Sequence, residues 1–450
     1  MTKTALIITI GLATEPSIKR INKLKPDLVY FIHSIKSKEN TLFIIEETKI
    51  KNYKFKLLDD HESVDDAFIK SLECINELKS EYNIVGDFTV GTKPMVAGLV
   101  MACYAYEGCD CVYLGESDED SRHNKMGPVK SGQEKTKNQE NPFENYAINE
   151  IKSGREFFDK YQFIAAKENF TNAKLKLKDS SLKEKSKIFI KIVNFYDYWD
   201  KFNDSLDDIK LNEYLKEMIL DEINSKDVLK EYFENKIPDF FKQMKNNKKF
   251  LDKKISENTS ESIDYYLPDL LNNAERRISE GKYDDAVARL YRAMELISQI
   301  RLNHYNVIDK SEINKKKTFL LDKQKLKKRL SKPNLAEVDE IGIKDWRNDN
   351  IKFVKLDSSK NYKLLKLFGK ETKYEISKST DKLVKNYFKI NPQVQKRNKS
   401  ILAHGLRPLN KVETLQLFKL VLNHSKKLCE NIEIEMEKSK FPQFKGDMLW

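Results

Sequence analysis

An arginine, an asparagine and a histidine stand close together near the end of the chain, in Arg397-Asn398-Lys399-Ser400-Ile401-Leu402-Ala403-His404-Gly405. Pro392 behind Asn391 suits a helix start, and Gly405 followed by Pro408 suits a stop, so the stretch reads as one short helix. At about 100° per residue the step from Arg397 to His404 closes to within roughly 20°, which puts both on one face about 10 Å apart. A fixed cation beside a titratable imidazole is what phosphodiester cleavage without a metal needs. One group holds the charge that builds on phosphorus and the other moves protons. His404 also ends the helix, where the negative end of the dipole favours the protonated ring. Against this stands a plain solvated face: with 82 Lys+Arg and 6 His, such pairs also arise by chance.

Positioning such residues takes two kinds of element. Ala5–Ile10 reads as a buried strand that stops at Gly11, Leu28–His33 as a second, and Thr41–Glu46 as a third. Between Ser63 and Leu78, Val64, Ala67, Phe68, Leu72, Ile75 and Leu78 recur at helical spacing. Asp87–Val90 then reads as a strand, Met95–Tyr106 as a helix and Cys111–Leu114 as a strand. The alternation predicts an α/β, Rossmann-like fold with a mostly parallel, doubly wound sheet. Ligands of such sheets sit beyond the C-terminal strand ends. Two loops fall there: Gly11–Ser17, and Gly91-Thr92-Lys93-Pro94. In the second, Gly91 permits a tight turn and Pro94 opens a helix whose free amides can hold an anion. Thr92 and Lys93 add a hydroxyl and a charge. Neither a Walker loop nor a G-x-G-x-x-G fingerprint is present, and a ligand-free turn is the competing reading.

Between Glu116 and Glu140 the only large apolar residues are Met126 and Val129, which reads as a linker or loop with a short final strand near Gly127–Val129. From Asn141 onward the pattern is wholly helical. Phe158–Ala173 and Glu280–Ala293 echo one another like tetratricopeptide units, but two imperfect copies make no solenoid. Over Tyr283–Leu302, Ala286, Leu290, Ala293, Met294, Ile297 and Ile300 form the apolar stripe of a strong helix. On its polar side Tyr291, Arg292 and Glu295 have solvated or structural roles ahead of lining an RNA groove, and His304 is a cap or surface residue. Lys315–Lys332 reads as a basic amphipathic helix, either merely lysine-rich outside or in contact with phosphates. Pro333–Lys389 is irregular, and a last helix over Glu413–Cys429 packs through Leu415, Phe418, Leu422 and Leu428. The expected domains are 1–140, a ligand-sensing sheet domain; 141–265, a helical connector; and 266–450, a catalytic helical domain.

Composition sets limits. At 450 residues, 40% hydrophobic and 10% aromatic, the chain can bury more than one core and is not disordered. A net charge of +12 is compatible with a polyanionic partner, though a lysine-, asparagine- and isoleucine-rich genome gives the same excess. Cys74, Cys103, Cys109, Cys111 and Cys429 read as free thiols of a reducing cytoplasm, because Cys109-Asp110-Cys111 is too tight for a zinc knuckle. No apolar run is long enough for a leader or a membrane span.

Arg397-Asn398, the small or apolar Ile401-Leu402-Ala403 and His404-Gly405 resemble the signature of HEPN ribonucleases. There an arginine, usually followed by a polar residue, stands four to six residues before a histidine; the spacing here is at the long end. Gly91-Thr92-Lys93-Pro94-Met95 resembles the Gly-Thr-Lys-x-Met element of CARF domains, the Rossmann-like sensors of CRISPR systems. The order of strand, polar loop, strand ending in His33-Ser34, helix and this element fits such a domain. Taken together, the chain resembles the CARF–HEPN ribonucleases of type III CRISPR defence. The resemblance implies an allosteric activator, a cyclic oligoadenylate held across the axis of a homodimer near Gly11, Thr14, Ser34, Gly91, Thr92, Lys93 and Met95. It implies a composite site for single-stranded RNA, with Arg397 and His404 from both subunits. There the substrate 2′-hydroxyl attacks the adjacent phosphate, giving a 2′,3′-cyclic phosphate; His404 is acid or base, Arg397 stabilises charge and Asn398 orients one of them. Neither cofactor nor metal is expected. Two rivals remain: a sensing scaffold that binds without catalysis, and a sensor that degrades its own ligand with Lys93 or Ser34 assisting.

Overall fold

The computed structural model describes residues 3–106, 108–117, 121–122, 129–130, 132–256, 262–309, 319–343, 350–394 and 408–444. The chain forms two compact units, Met1–Ile148 with Lys176–Lys178, and Asn149–Leu175 with Asp179–Trp450.

In the first unit the elements run β1 (Lys3–Thr9), α1 (Glu15–Leu24), β2 (Leu28–His33), α2 (Lys38–Thr48), β3 (Tyr53–Leu57), α3 (Val64–Leu78), β4 (Tyr82–Asp87), α4 (Lys93–Ala105), β5 (Cys109–Glu116) and β6 (Glu134–Gln139). They build one six-stranded sheet in the order β3-β2-β1-β4-β5-β6. All pairs are parallel except β5 with β6. Period-two alternation along β1 divides its side chains between two cores. Ala5 and Ile7 pack with Ile75 of α3 and Leu99 of α4, while Leu6 and Ile8 pack with Ile21 of α1 and Ile44 of α2. Burial of β1 on both faces is why its run is continuously apolar rather than alternating.

Several expectations are corrected. Thr41–Glu46 is part of helix α2, not a strand: Thr41 and Ile44 are buried while Leu42 and Phe43 are half exposed, the three-residue spacing of a helix face. The third strand is Tyr53–Leu57 instead. Strand β4 lies earlier than Asp87–Val90, since Ile84 and Val85 carry it and Asp87 ends it by accepting from the Thr89 amide at 2.8 Å. Gly86 inside β4 is required because a Cβ there would overlap the Cys103 sulfur. The Glu116–Glu140 stretch, read as a linker, contains β6, whose mostly exposed polar residues hide it from a hydrophobicity pattern. Of the strand expected near Gly127–Val129, Val129 makes a single bridge to Arg122, and Gly127 lies outside the described residues.

The second unit is helical but not wholly so. Ser205–Leu206 pairs with Ile209–Lys210, and Leu321–Asp322 with Phe353–Val354. The latter strand, with the separate short helices Lys323–Arg329 and Lys332–Ala336, replaces the single basic helix expected over Lys315–Lys332. Two long helices, Tyr266–Ser279 and Tyr283–His304, are the centre of the main core, with Leu271, Leu290, Ile297 and Ile300 fully buried. Ser358–Lys370, Ser377–Val394 and Lys411–Ser425 complete it. Pro392 lies inside the Ser377–Val394 helix rather than at the start of a new one. The stripe Leu383, Val384, Tyr387, Ile390 and Val394 is buried, so packing carries the helix past the proline at the loss of one backbone bond in its last turn. His304 meets Asp264 at 3.1 Å. All five cysteines are free. Among the described residues no helix is long and apolar enough to cross a membrane, and no group of three His, Cys, Asp or Glu could hold a metal ion.

Candidate ligand edge and candidate catalytic cleft

At the C-terminal ends of β1 and β4 the two glycine loops meet backbone to backbone. A Cβ on Gly11 would stand 3.0 Å from the Gly91 nitrogen, and one on Gly91 would stand 3.0 Å from Thr9 Oγ1. The Thr9 hydroxyl donates to the Val90 carbonyl, and Asn40 Nδ2 donates to the Gly11 carbonyl at 2.8 Å. Gly91 has φ +131°, a conformation that side-chain-bearing residues rarely adopt. Thr92 caps α4 by accepting from the Met95 amide at 3.4 Å, and its hydroxyl donates to the His61 carbonyl at 2.6 Å. After β2, Ser34 is buried and shares a reciprocal cap with Ser37.

Of the residues expected near a ligand, then, Gly11 and Gly91 abut, and Thr92 shapes the turn. Lys93 is exposed on the first turn of α4, Thr14 caps α1 through backbone alone, and Ser34 is turned into its own short helix. Met95 is 1% exposed and belongs to the core beneath α4. What the edge offers is the amide face of α4 and the exposed Leu12 and Ile35 of its neighbouring loops. Beneath it, Arg20 of α1 forms a buried ion pair with Asp87 and donates to Thr136 of β6 at 3.0 Å. Asn40 and Arg20 were not singled out in the sequence, because their partners are 29 and 67 residues away.

In the helical unit a cavity of about 550 Å³ opens between the Tyr283–His304 helix, the start of Ser358–Lys370 and the end of Ser377–Val394. Tyr291, Arg292 and Glu295 line one wall, Asp357, Ser358 and Ser359 a second, and Tyr387, Asn391 and Val394 a third. Arg292 reaches Glu295 at 3.2 Å and Gln299 Oε1 at 2.8 Å, while Gln299 Nε2 donates to Glu295 at 3.1 Å. Burial pulls the Arg292 guanidinium below its ordinary value, and Glu295 opposes that pull. Behind the third wall the Tyr362 and Tyr387 rings stack at 3.5 Å. The Tyr362 hydroxyl donates to the Met294 carbonyl at 3.0 Å and lies 2.9 Å from His424 Nε2, whose Nδ1 meets Asn386 Nδ2 at 2.8 Å. These bonds are mutually consistent only for a neutral His424 with its proton on Nε2. Burial pushes its pKa down to about 3.

Arg397, Asn398 and His404 lie outside the described residues. Their described flanks do bear on them. Val394, three residues before Arg397, lines the cavity, and a chain advances at most about 3.6 Å per residue, so the Arg397 Cα lies within about 11 Å of it. On the far side Leu409 N donates to Asp284 at 3.4 Å, on the first turn of the same Tyr283–His304 helix.

Residues 255–428 match the sequence model of the Csm6 HEPN domain. Among solved structures, Enterococcus italicus Csm6 bound to cyclic hexa-2′-fluoro-hexa-dAMP aligns over 97% of this chain and 98% of its own, at 14% identity and a TM-score of 0.53. At that identity the likeness speaks to the fold. Sulfobacillus thermosulfidooxidans Can2 in complex with cyclic tetra-adenylate aligns over 47% of this chain and 56% of its own, at 12% identity and a TM-score of 0.24. A type III CRISPR defence DNA nuclease activated by cyclic oligoadenylate aligns over 45% and 34%, at 13% identity and a TM-score of 0.24. These two overlaps are too slight to argue from. Curated protein sequences give no match. A Rossmann-like sheet unit followed by helices, with the cleft and the Arg397–His404 motif both inside the HEPN match, makes this chain a type III CRISPR-associated CARF–HEPN protein whose HEPN domain is of the Csm6 kind.

Proposed function

We propose that the chain is an endoribonuclease of type III CRISPR defence, acting as a cytoplasmic homodimer and switched on by a cyclic oligoadenylate. The observation that carries this reading is the HEPN match over residues 255–428, which encloses the Arg397–His404 motif. The ligand part is supported by the amide-lined edge at Gly11 and Gly91, and by the cyclic oligonucleotide bound to the Enterococcus italicus protein of the same fold.

In this reading the substrate 2′-hydroxyl attacks the adjacent phosphorus, and the bond to the 5′-oxygen of the next nucleotide breaks. The products are a 2′,3′-cyclic phosphate and a 5′-hydroxyl. His404 takes or returns the proton, Arg397 stabilises the negative charge on the phosphoryl oxygens, and Asn398 orients one of the two. The attacking group belongs to the substrate, so proton transfer and charge stabilisation suffice without a metal or cofactor. His404 has to titrate for this, and it is thereby distinct from His424, which burial keeps neutral.

The test is cleavage of a fluorogenic single-stranded RNA in EDTA, with cyclic tri-, tetra- and hexa-adenylate added separately and His404→Ala alongside. Cleavage evoked by one ring and absent from the variant is expected. Undiminished cleavage by His404→Ala would remove the assigned chemistry, and silence with every ring would leave a sensor without this catalysis.

A further inference from the structure

The helical cleft is walled by more than its place beside the HEPN motif requires. Its charged lining residues are one cation, Arg292, and two carboxylates, Glu295 and Asp357. The cation is already committed to Glu295 and Gln299. A phosphate entering here would meet a wall with excess negative charge, so this space is not a backbone cradle. A neutral, planar group with hydrogen-bond donors fits it, and the volume of about 550 Å³ is that of an ordinary small-ligand site.

The two carboxylates differ in what remains to them. Asp357 caps the Ser358–Lys370 helix by accepting from the Lys360 amide at 2.8 Å, and Lys360 Nζ stands 3.5 Å from its other oxygen. Glu295 is held from one side only. Arg292 approaches one carboxylate oxygen and Gln299 the other, and Arg292 and Gln299 are bonded to each other, so the three side chains close a ring along one helix face. That ring fixes the carboxylate before any ligand arrives. Each oxygen of a carboxylate has two acceptor positions, and the ring uses one of each. The side chain is 31% exposed, and it faces the cavity.

Resting on the ribonuclease reading above, we propose that Glu295 is a specificity-determining acceptor for a nucleobase of the RNA beside the cut. Its carboxylate receives the amino group of adenine, cytosine or guanine. Uracil has no amino group, and its two carbonyls would face the carboxylate unpaired. Arg292 and Gln299 are positioning residues that aim the acceptor. A site built to pair with an amino group rejects a base that lacks one far more strongly than an apolar pocket would. One well-placed pair of this kind gives about tenfold discrimination or more.

The experiment uses the full-length protein, activated by whichever ring evokes cleavage, on a randomised single-stranded RNA pool whose cut ends are sequenced. Uracil is expected to be depleted about tenfold at one of the two nucleotides flanking the cut. In Glu295→Gln the amide oxygen stays on Arg292 and the amide NH₂ turns to the cavity, so depletion at that position falls below about threefold while other positions keep their pattern. Glu295→Asp retains the sign of the preference and serves if the glutamine variant does not fold. Equal use of all four bases at both flanking positions by the unaltered protein overturns the proposal. So does a Glu295→Gln enzyme that cuts more slowly with the same uracil depletion, which is the signature of a merely structural ion pair. A protein that cuts no RNA with any ring fails at the earlier, catalytic step, and the specificity assignment falls with it.

Discussion

At the sheet edge the polar side chains are turned back into the fold, whereas in the helical cleft they face one another around a cavity. Thr92 bonds the His61 carbonyl and the Met95 amide, Ser34 bonds Ser37, and Asn40 bonds Gly11. What is left for a ligand is mainly backbone. In the cleft the reverse holds: Glu295, Arg292 and Gln299 form a ring of side chains on a rigid helix, backed by the Tyr362–His424 bond. Backbone sites are set by conformation and broken by a Cβ, while side-chain sites are set by functional groups and broken by isosteres. Substitutions of each kind should therefore act differently in the two regions.

The largest effect belongs to the helical unit. Loss of the imidazole in His404→Ala should lower RNA cleavage by at least about a hundredfold, the ordinary scale of a general acid–base group. Activator affinity, read by isothermal titration, should stay unchanged. Parallel loss of binding would mean the residue holds the fold together instead.

Next comes the backbone of the sheet edge. Gly91→Ala places a Cβ at φ +131° and 3.0 Å from Thr9 Oγ1. The cost is about 3 kcal/mol, at the upper end for a strained backbone site, and it should appear in urea melts of the chain together with weakened activator binding. A variant as stable as the parent would show that the turn has another conformation open to it.

The two regions also differ in how much of them could be read from sequence. Leu28–His33 and the Ser63-capped helix are legible, because a doubly buried strand and an amphipathic helix with a serine cap have distinct patterns. Thr41–Glu46 is not, since a short apolar run fits strand and helix alike until Leu42 and Phe43 are seen to be exposed. Strand β6 escapes because an edge strand of exposed polar residues has no hydrophobic signature. Gly91 and Thr92 are named by their loop chemistry alone, and they sit where that chemistry requires. In the cleft, Arg292, Glu295 and Gln299 are spaced by three and four residues, so their shared face is legible. Their facing walls from Asp357 and Tyr387 are not, because only tertiary packing brings them together. The Arg397–His404 motif was legible only through family resemblance, and the structure describes its flanks, not the motif itself.

A smaller effect separates His424 from His404 by pH. Burial holds the His424 pKa at about 3 in the fold, below its ordinary 6.5, so the unfolded chain binds the proton first. Stability from this group is complete above the unfolded value and is lost as pH falls from there toward about 3. Between pH 7 and pH 5 the loss is about 2 kcal/mol, measurable by urea melts at the two values. In His424→Gln, which keeps a polar partner for Tyr362, that share of the pH slope should vanish. An unchanged slope would assign the titration to other groups.

The smallest effect is at Thr92, and it bears most directly on what the sheet edge is made of. Thr92→Val keeps the shape of the side chain and removes the hydroxyl that donates to the His61 carbonyl at 2.6 Å and accepts from the Met95 amide at 3.4 Å. The second bond is long, so the cap contributes little and the first bond most of the cost, about 1 kcal/mol in all. If the hydroxyl serves the turn and the amides serve the ligand, activator affinity should fall no more than the loss of turn order explains, within about fivefold. Gly91→Ala should lower it much further. The opposite ranking, with Thr92→Val abolishing binding in a protein that melts normally, would mean that the hydroxyl leaves His61 for the ligand. The edge would then work as the cleft does, through side chains.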